Sequence, residues 1–352
     1  MNAVQQPTLM RIPMRTLSRQ TRYVLEGVDD ILVYKVAMTT RFRGVTRREG
    51  LLLHGHAGWG EAAPFWNYDD LESSRWLAAA LESARCFPPV PRRKFVPVNV
   101  TIPVISPEEA YERVKASGGC STAKIKVAEP GVSVGRDCAR IAAVAEALRE
   151  TVGGQAMIRL DANGAWEVDQ AREAIPAMAS AAGVVPIEYV EQPCPTVDEL
   201  AQVRRSVDVP IAADESIRRA EDPLEVARKE AADVVIIKVA PLGGVRAALK
   251  VARKSGLGVV VSSALETSVG LSVGVAAAAA VPGVPRAAGL ATASLLVGDV
   301  TQPLIPERGR LPVGRREPDQ ELIDRTPVDG DLVSRWGMRL EGMAEHLRVG
   351  SR

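Results

Sequence analysis

Aromatic side chains make up only 4% of this 352-residue chain, and histidine occurs three times, at His54, His56 and His346. So few aromatics remove the stacking platforms on which single-stranded nucleic acids are held. Lys and Arg number 44 against 43 Asp and Glu, for a formal net charge of +1. The basic excess of a general nucleic-acid binder is therefore lacking as well. The four cysteines, Cys86, Cys120, Cys138 and Cys194, are dispersed, with no Cys-x-x-Cys pair. Such usage fits a reducing compartment and argues against a disulfide scaffold or a cysteine–zinc site. The most lipid-like stretch, Ser268–Val281, is made largely of Ala, Gly and Val and is stopped by Pro282. It falls short of the roughly 20 apolar residues that a spanning helix needs. The amino terminus scatters arginines through a stretch with no apolar core, unlike a secretory signal. These absences predict a cytoplasmic protein with neither nucleic acid nor membrane as partner, its oligomeric state left open.

What is present, 46% hydrophobic and 25% charged residues, is ordinary globular composition, and it divides into zones. Residues 1–20 read as a flexible extension. Within 21–97, apolar and polar runs alternate (Ile31–Met38, then Leu51–His54) around Arg41-Phe42-Arg43-Gly44, as antiparallel strands would. Leu71, Ser74, Leu77, Ala78 and Leu81 then recur at helical spacing until Pro88-Pro89 ends the run. This is an α+β unit.

From Val98 the rhythm changes. Short β-rich runs at 98–102, 123–127, 156–161, 187–191, 211–214, 234–239, 259–263 and 287–291 alternate with Ala-rich amphipathic segments such as Val134–Glu150 and Glu221–Glu230. Eight such units over 98–300 suit a closed parallel barrel. A doubly wound sheet alternates in the same way, although no Gly-x-Gly-x-x-Gly opens a helix after the first run. Beyond Val300 the rhythm stops, and a proline-rich segment, 301–352, is expected to return to the first zone.

Charges inside parallel strands are costly unless paired or bound to metal, yet this chain places them at strand carboxyl ends. They are Lys124 and Lys126, Arg159 with Asp161 and Asn163, Glu191, Asp214, and Lys238 in an otherwise apolar run. Most have a plainer reading: a solvated edge for Lys124 and Lys126, a turn for Asp161-Ala162-Asn163-Gly164, a loop charge for Glu191, a helix cap for Asp214, while Lys238 in a buried strand demands a partner or a shifted pKa. The series weighs against coincidence, because carboxylates end three successive strands with lysines on either side. In a barrel, the carboxyl-terminal rim is where active sites are built. Asp161, Glu191 and Asp214 would converge there as hard oxygen ligands, the environment of Mg²⁺, with Mn²⁺ as a substitute. With no histidine in the barrel zone, Lys126 and Lys238 are the bases on offer, one to each side of the metal. A neighbouring cation such as Lys124 would lower the pKa of Lys126. The matching chemistry is removal of a proton α to a carboxylate of a small-molecule substrate.

Lys-x-Lys, Asp-x-Asn, Glu-Gln-Pro, Asp-Glu-Ser and a later lysine occur in order, about 23 to 35 residues apart. This set resembles the muconate-lactonizing subgroup of the enolase superfamily. The resemblance implies a (β/α)₇β barrel with an α+β capping domain built from both chain ends, and Mg²⁺ on Asp161, Glu191 and Asp214. Within that subgroup, Thr40–Glu49, Gly58-Trp59-Gly60-Glu61 and Gly289–Leu296 are similar to the actinobacterial o-succinylbenzoate synthases. These lyases dehydrate a succinyl-hydroxycyclohexadiene carboxylate to 2-succinylbenzoate in menaquinone biosynthesis. That likeness implies that Lys126 removes the α proton and then protonates the departing hydroxyl from the same face, while Lys238 stabilises the enediolate. It further implies that Lys124 tunes Lys126, that Asn163 and Arg159 give support, and that Ser262 and Ser263 bind the succinyl carboxylate. N-succinylamino acid racemase needs the same two lysines and stays open as an alternative. A dipeptide epimerase would need an Asp-x-Asp where this chain reads Leu290-Ala291-Thr292-Ala293, and a catalytically silent barrel would be expected to have lost a ligand or a lysine.

Overall fold

The computed structural model describes residues 6–42, 44–326 and 329–349. Residues 1–5 of the expected extension, and Arg43, lie outside this set.

Four antiparallel strands open the chain: β1 (Thr8–Arg11), β2 (Val28–Phe42), β3 (Val45–Gly55) and β4 (Gly58–Ala62), ordered β1-β2-β3-β4 in one sheet. The extension expected over residues 1–20 is thus corrected over 8–20. Thr8–Arg11 pairs in register with Lys35–Leu32, burying Leu9 and Met10 in the sheet's core, and Arg19–Val24 is helical. The helix Asp70–Arg85 starts where the Asp69 side chain accepts the Glu72 amide at 2.7 Å, satisfying an amide that the first helical turn leaves open. It lies on β4 so closely that a Cβ on Gly60 would fall 2.1 Å from the Ala80 carbonyl oxygen, so only glycine fits there. The long carboxyl-terminal helix Gly330–Val349 adds Trp336, Leu340 and Met343 to the same core. The capping layer is therefore built from both chain ends.

After the short β5 (Phe95–Pro97) comes a parallel sheet of seven strands: β6 (Asn99–Ile102), β7 (Thr122–Lys126), β8 (Met157–Asp161), β9 (Ile187–Glu191), β10 (Ile211–Ala213), β11 (Val234–Lys238) and β12 (Gly258–Ser262). Neighbours in sequence are neighbours in the sheet, from β6 at one edge to β12 at the other. The eighth segment closes the ring without a full ladder. Ala288 bridges to Val98 and Gly289 to Ser262, both in parallel sense. Helices lie between most strands, among them Val134–Val152, Val168–Ala182 and Ser268–Ala280. The helix expected at Glu221–Glu230 shrinks to the single turn Glu225–Arg228, with a separate turn, Glu215–Arg218, ahead of it. Pro223 lies between them, and proline disfavours a helical residue before it.

Burial follows the strand period of two. Ile125, Ile158, Leu160, Val190, Ile211, Val235, Ile237 and Val261 face outward into the core shared with the helices. Tyr189, Ala212, Val234, Ile236 and Val260 form a separate small cluster inside the ring. Lys124, Lys126, Arg159, Asp161, Glu191 and Lys238 share that inward parity, so alternation drives them into the barrel.

Residues 301–352 do not return to the cap as one piece. Leu304 and Leu311 are buried in the barrel's core, and β13 (Arg310–Pro312) pairs antiparallel with β5. Arg315 reaches the capping layer, donating to the Trp59 and Ser83 carbonyls, and the helical stretch beyond Asp319 joins it. No helix among the described residues is long and apolar enough to cross a membrane.

Candidate active site

Strand register brings the sequence-scattered charges together. Lys126 is paired with Asp161 and Asp161 with Glu191, while Ala212, two residues before Asp214, is paired with Glu191. The three carboxylates therefore stand on adjacent strands at one rim, each 1% exposed. Lys238, 4% exposed, ends β11 on the far side.

These groups form one ion-pair network. Lys124 Nζ donates to Asp161 Oδ2 at 2.7 Å and to Glu191 Oε1 at 3.0 Å. Lys126 Nζ donates to the same Asp161 Oδ2 at 2.6 Å and to Asn163 Oδ1 at 2.6 Å. Lys238 Nζ donates to Asp214 Oδ2 at 2.5 Å. Burial works against the Lys124 ammonium, but the charges of Asp161 and Glu191 outweigh it and hold its pKa above the ordinary lysine range. Burial likewise disfavours ionised Asp161, and Lys124 and Lys126 override it, holding the carboxyl well below its usual range. Glu191 is different. Burial, then the charge of Asp161, pushes it up to about 7.

Among the described residues, no three of His, Cys, Asp and Glu stand together as a ready metal cage. The reason is visible: the Lys124 ammonium sits between Asp161 and Glu191, and Lys238 sits on Asp214. The donor set nonetheless suits a hard divalent cation, being three buried carboxylates with no thiol or imidazole among them. Lys124, which bridges two of the three, already plays a cation's part. Enzymes of the enolase superfamily bind a divalent metal, typically Mg²⁺.

Of the supporting residues expected from the sequence, Asn163 accepts from Lys126 Nζ. It holds a positive φ of 50°, and its Nδ2 reaches Glu215 Oε1 at 3.3 Å. Ser262 and Ser263 line a small cavity of about 30 Å³ together with Lys124, Lys126 and Lys238, and Ser263 Oγ lies 2.9 Å from Thr292 Oγ1. Arg159 is corrected. It points away from the rim toward the barrel floor, where it donates to Glu188 Oε2 at 2.7 Å, Asn99 Oδ1 at 3.0 Å and the Ala287 carbonyl at 2.7 Å. The register slips by one residue at Glu188, freeing that carboxylate from the pairing. With its guanidinium 4.9 Å from the Tyr189 ring centroid, Arg159 plugs the barrel beneath the acid network.

Four contributors escaped the sequence reading. Arg218, buried by the same rim, pairs with Asp214 and with Glu215 Oε1 at 2.7 Å. Gln192 receives the Asp214 and Ser216 amides on Oε1 at 3.0 and 3.2 Å, which locks the turn presenting Asp214. Thr101 and Leu265 join the cavity wall. The amide between Glu191 and Pro193 was the one available signal, since a buried Gln must have its donors and acceptors met.

Comparison with known proteins points the same way. A family model described as Enolase C-terminal domain-like matches residues 107–318, and one described as Enolase N-terminal domain-like matches residues 33–84. A curated o-succinylbenzoate synthase from Thermobifida fusca (strain YX) is 54% identical, the match covering 87% of this chain and 93% of that protein. A protein of the same name from Mycobacterium tuberculosis (strain ATCC 25618 / H37Rv) is 49% identical over 83% of this chain and 86% of its own. Among solved structures, the L-Ala-D/L-Glu epimerase of Bacillus subtilis superposes with a TM-score of 0.68 at 25% identity, covering 83% of this chain and 96% of that one. A muconate lactonizing enzyme from Pseudomonas fluorescens gives 0.68 at 18% identity, covering 88% and 98%, a likeness of fold alone.

Proposed function

The chain belongs to the o-succinylbenzoate synthase family of the enolase superfamily, and from that premise we propose the residues that perform the dehydration. It is a hydro-lyase of menaquinone biosynthesis, taking a succinyl-hydroxycyclohexadiene carboxylate to 2-succinylbenzoate and water. The observation that carries the assignment of roles is the pair of ammonium groups flanking the carboxylate row, Lys126 on Asp161 and Lys238 on Asp214.

Lys126, as the free amine, takes the proton α to the substrate carboxylate, and the C–H electrons move into the carboxylate to form an enediolate. The ammonium of Lys238 faces the enediolate from the other side and offsets its charge. The electrons then return to expel the ring hydroxyl, breaking the C–O bond. Lys126, now an ammonium on the same face, protonates it, so water leaves and the ring becomes aromatic. Lys124, held charged between Asp161 and Glu191, stays out of the proton transfer and contributes a fixed positive field beside Lys126. Asn163 keeps Lys126 Nζ oriented. Ser262 and Ser263 are in position to meet the succinyl carboxylate.

Asp161, Glu191 and Asp214 would hold Mg²⁺, which supplies positive charge against the developing enediolate and competes with the lysines for those carboxylates. The racemase and epimerase readings are not favoured, and the eighth segment supplies no Asp-x-Asp for a substrate ammonium. The test is to offer the purified protein both the cyclohexadiene carboxylate and an N-succinylamino acid, with Mg²⁺ and with chelator. Metal-dependent dehydration that exceeds racemisation is expected, and racemisation as the faster reaction would overturn the reading.

A further inference from the structure

Leu265 stands at φ +66°, in the left-handed region that a side chain with a Cβ seldom adopts. It follows β12 and is 4% exposed. Its place is notable because it lines the cavity shared by Lys126 and Lys238, where it is the one large aliphatic side chain among the described lining residues. A strained conformation of this kind persists only where its surroundings hold it.

The restraint comes from the capping layer. Arg48, on β3 and 3% exposed, donates from Nε to the Leu265 carbonyl at 3.0 Å. From Nη2 it donates to the Ala63 carbonyl at 2.6 Å and reaches the Ala264 carbonyl at 3.4 Å. Its guanidinium carbon lies 4.3 Å from the Phe65 ring centroid, which fixes the plane of the fork. A second cap residue, Glu61, holds the far end of the same turn by accepting the Thr267 and Gly270 amides, both at 3.0 Å. Within the turn, the Glu266 carboxylate accepts the Ala264 amide at 2.7 Å. A barrel loop that walls the catalytic cavity is thus clamped at two points by side chains from another layer.

We propose that Arg48 is a specificity-determining positioning residue. By holding the Leu265 carbonyl it keeps the turn left-handed and Leu265 as the apolar wall against the substrate's cyclohexadiene ring. This rests on the dehydration assigned above. Without Arg48 the turn relaxes toward an ordinary backbone conformation and the leucine leaves the wall. The lysines and carboxylates, held by their own strands, stay in place.

Steady-state dehydration by the full-length enzyme with Mg²⁺ tests this, using Arg48→Met, Leu265→Gly and the double variant, with melting temperatures alongside. Glycine tolerates the left-handed backbone, so Leu265→Gly takes the side chain out of the wall, and out of the cap core it also packs in, without straining the turn, and the melting temperature reads the packing loss separately. Each single variant should raise KM for the ring substrate roughly tenfold to a hundredfold, with kcat falling less. The double variant should be no worse than Arg48→Met alone, because both changes remove one wall. A folded Arg48→Met enzyme with a lowered melting temperature but an unchanged KM overturns the proposal, as do additive effects in the double variant. If Arg48→Met does not fold, Leu265→Gly decides, and an unchanged KM there is equally fatal. A parent enzyme that does not dehydrate the ring substrate sinks the functional reading and this inference together. An active parent with unaffected variants sinks this inference alone.

Discussion

Lys124 and Lys126 donate to one and the same oxygen, Asp161 Oδ2, at 2.7 and 2.6 Å. Two residues apart on β7, they project to the same face by the strand's period of two. Their roles separate through what else they touch. Lys124 is shared with buried Glu191, while Lys126 reaches outward to Asn163. Both line the cavity, and the proposed division, Lys124 as a fixed charge and Lys126 as the base, rests on these different second partners.

Metal binding should depend on the carboxylate row. Asp214→Asn is expected to raise the Mg²⁺ concentration for half-maximal activity by about tenfold or more, since even groups behind the ligands matter on that scale. Added Mg²⁺ should raise the melting temperature of the parent and raise that of the variant less. Equal activation curves would contradict the assignment of Asp214 as a ligand.

Arg159 should matter for stability and not for turnover. Its partners, Glu188, Asn99 and the Ala287 carbonyl, are at the barrel floor. Arg159→Met leaves Glu188 to Arg286 alone and leaves the buried Asn99 Oδ1 and Ala287 carbonyl without their donor, and should cost roughly 1–3 kcal/mol of stability. The folded fraction should keep kcat within about twofold of the parent, because nothing Arg159 bonds reaches the lysines. A tenfold fall in kcat at unchanged melting temperature would return it to the catalytic group.

Glu61 should impose a pH dependence on stability. Burial pushes its carboxyl up from 4.5 to about 7, although Tyr34, Thr267 and Gly270 all donate to it. Between those values the folded chain keeps a proton that the unfolded chain has lost. Its contribution is therefore full at acid pH and is lost as pH rises through about 7, on the order of 3 kcal/mol. Urea midpoints at pH 5 and pH 8 should differ more in the parent than in Glu61→Gln. The same slope in both would contradict this source.

The barrel and its charged rim were legible because they are written in short-range pattern. Alternation on each strand determines which residues face inward, and the motif order determines which strands carry them. Arg159 was misassigned because parity gives the face but not the end toward which a long side chain reaches. Thr8–Arg11 went unseen because an edge strand this short has little periodicity, and its pairing to Lys35–Leu32 is a long-range event. The Arg48–Leu265 contact spans 217 positions and runs through backbone carbonyls, which any sequence presents alike. Arg218 escaped for a similar reason. Its role arises from the tight turn that Gln192 stabilises, and no spacing rule announces that turn.

Lys126 is proposed to move the protons while Lys238 balances the enediolate's charge across the carboxylate row. The most direct test of this is the rate of 2-succinylbenzoate formation by Lys126→Ala and Lys238→Ala with saturating Mg²⁺. Each should fall by about 10²–10⁴-fold in kcat while the protein remains folded and binds the metal. Turnover near the parent's level in either variant would contradict the account.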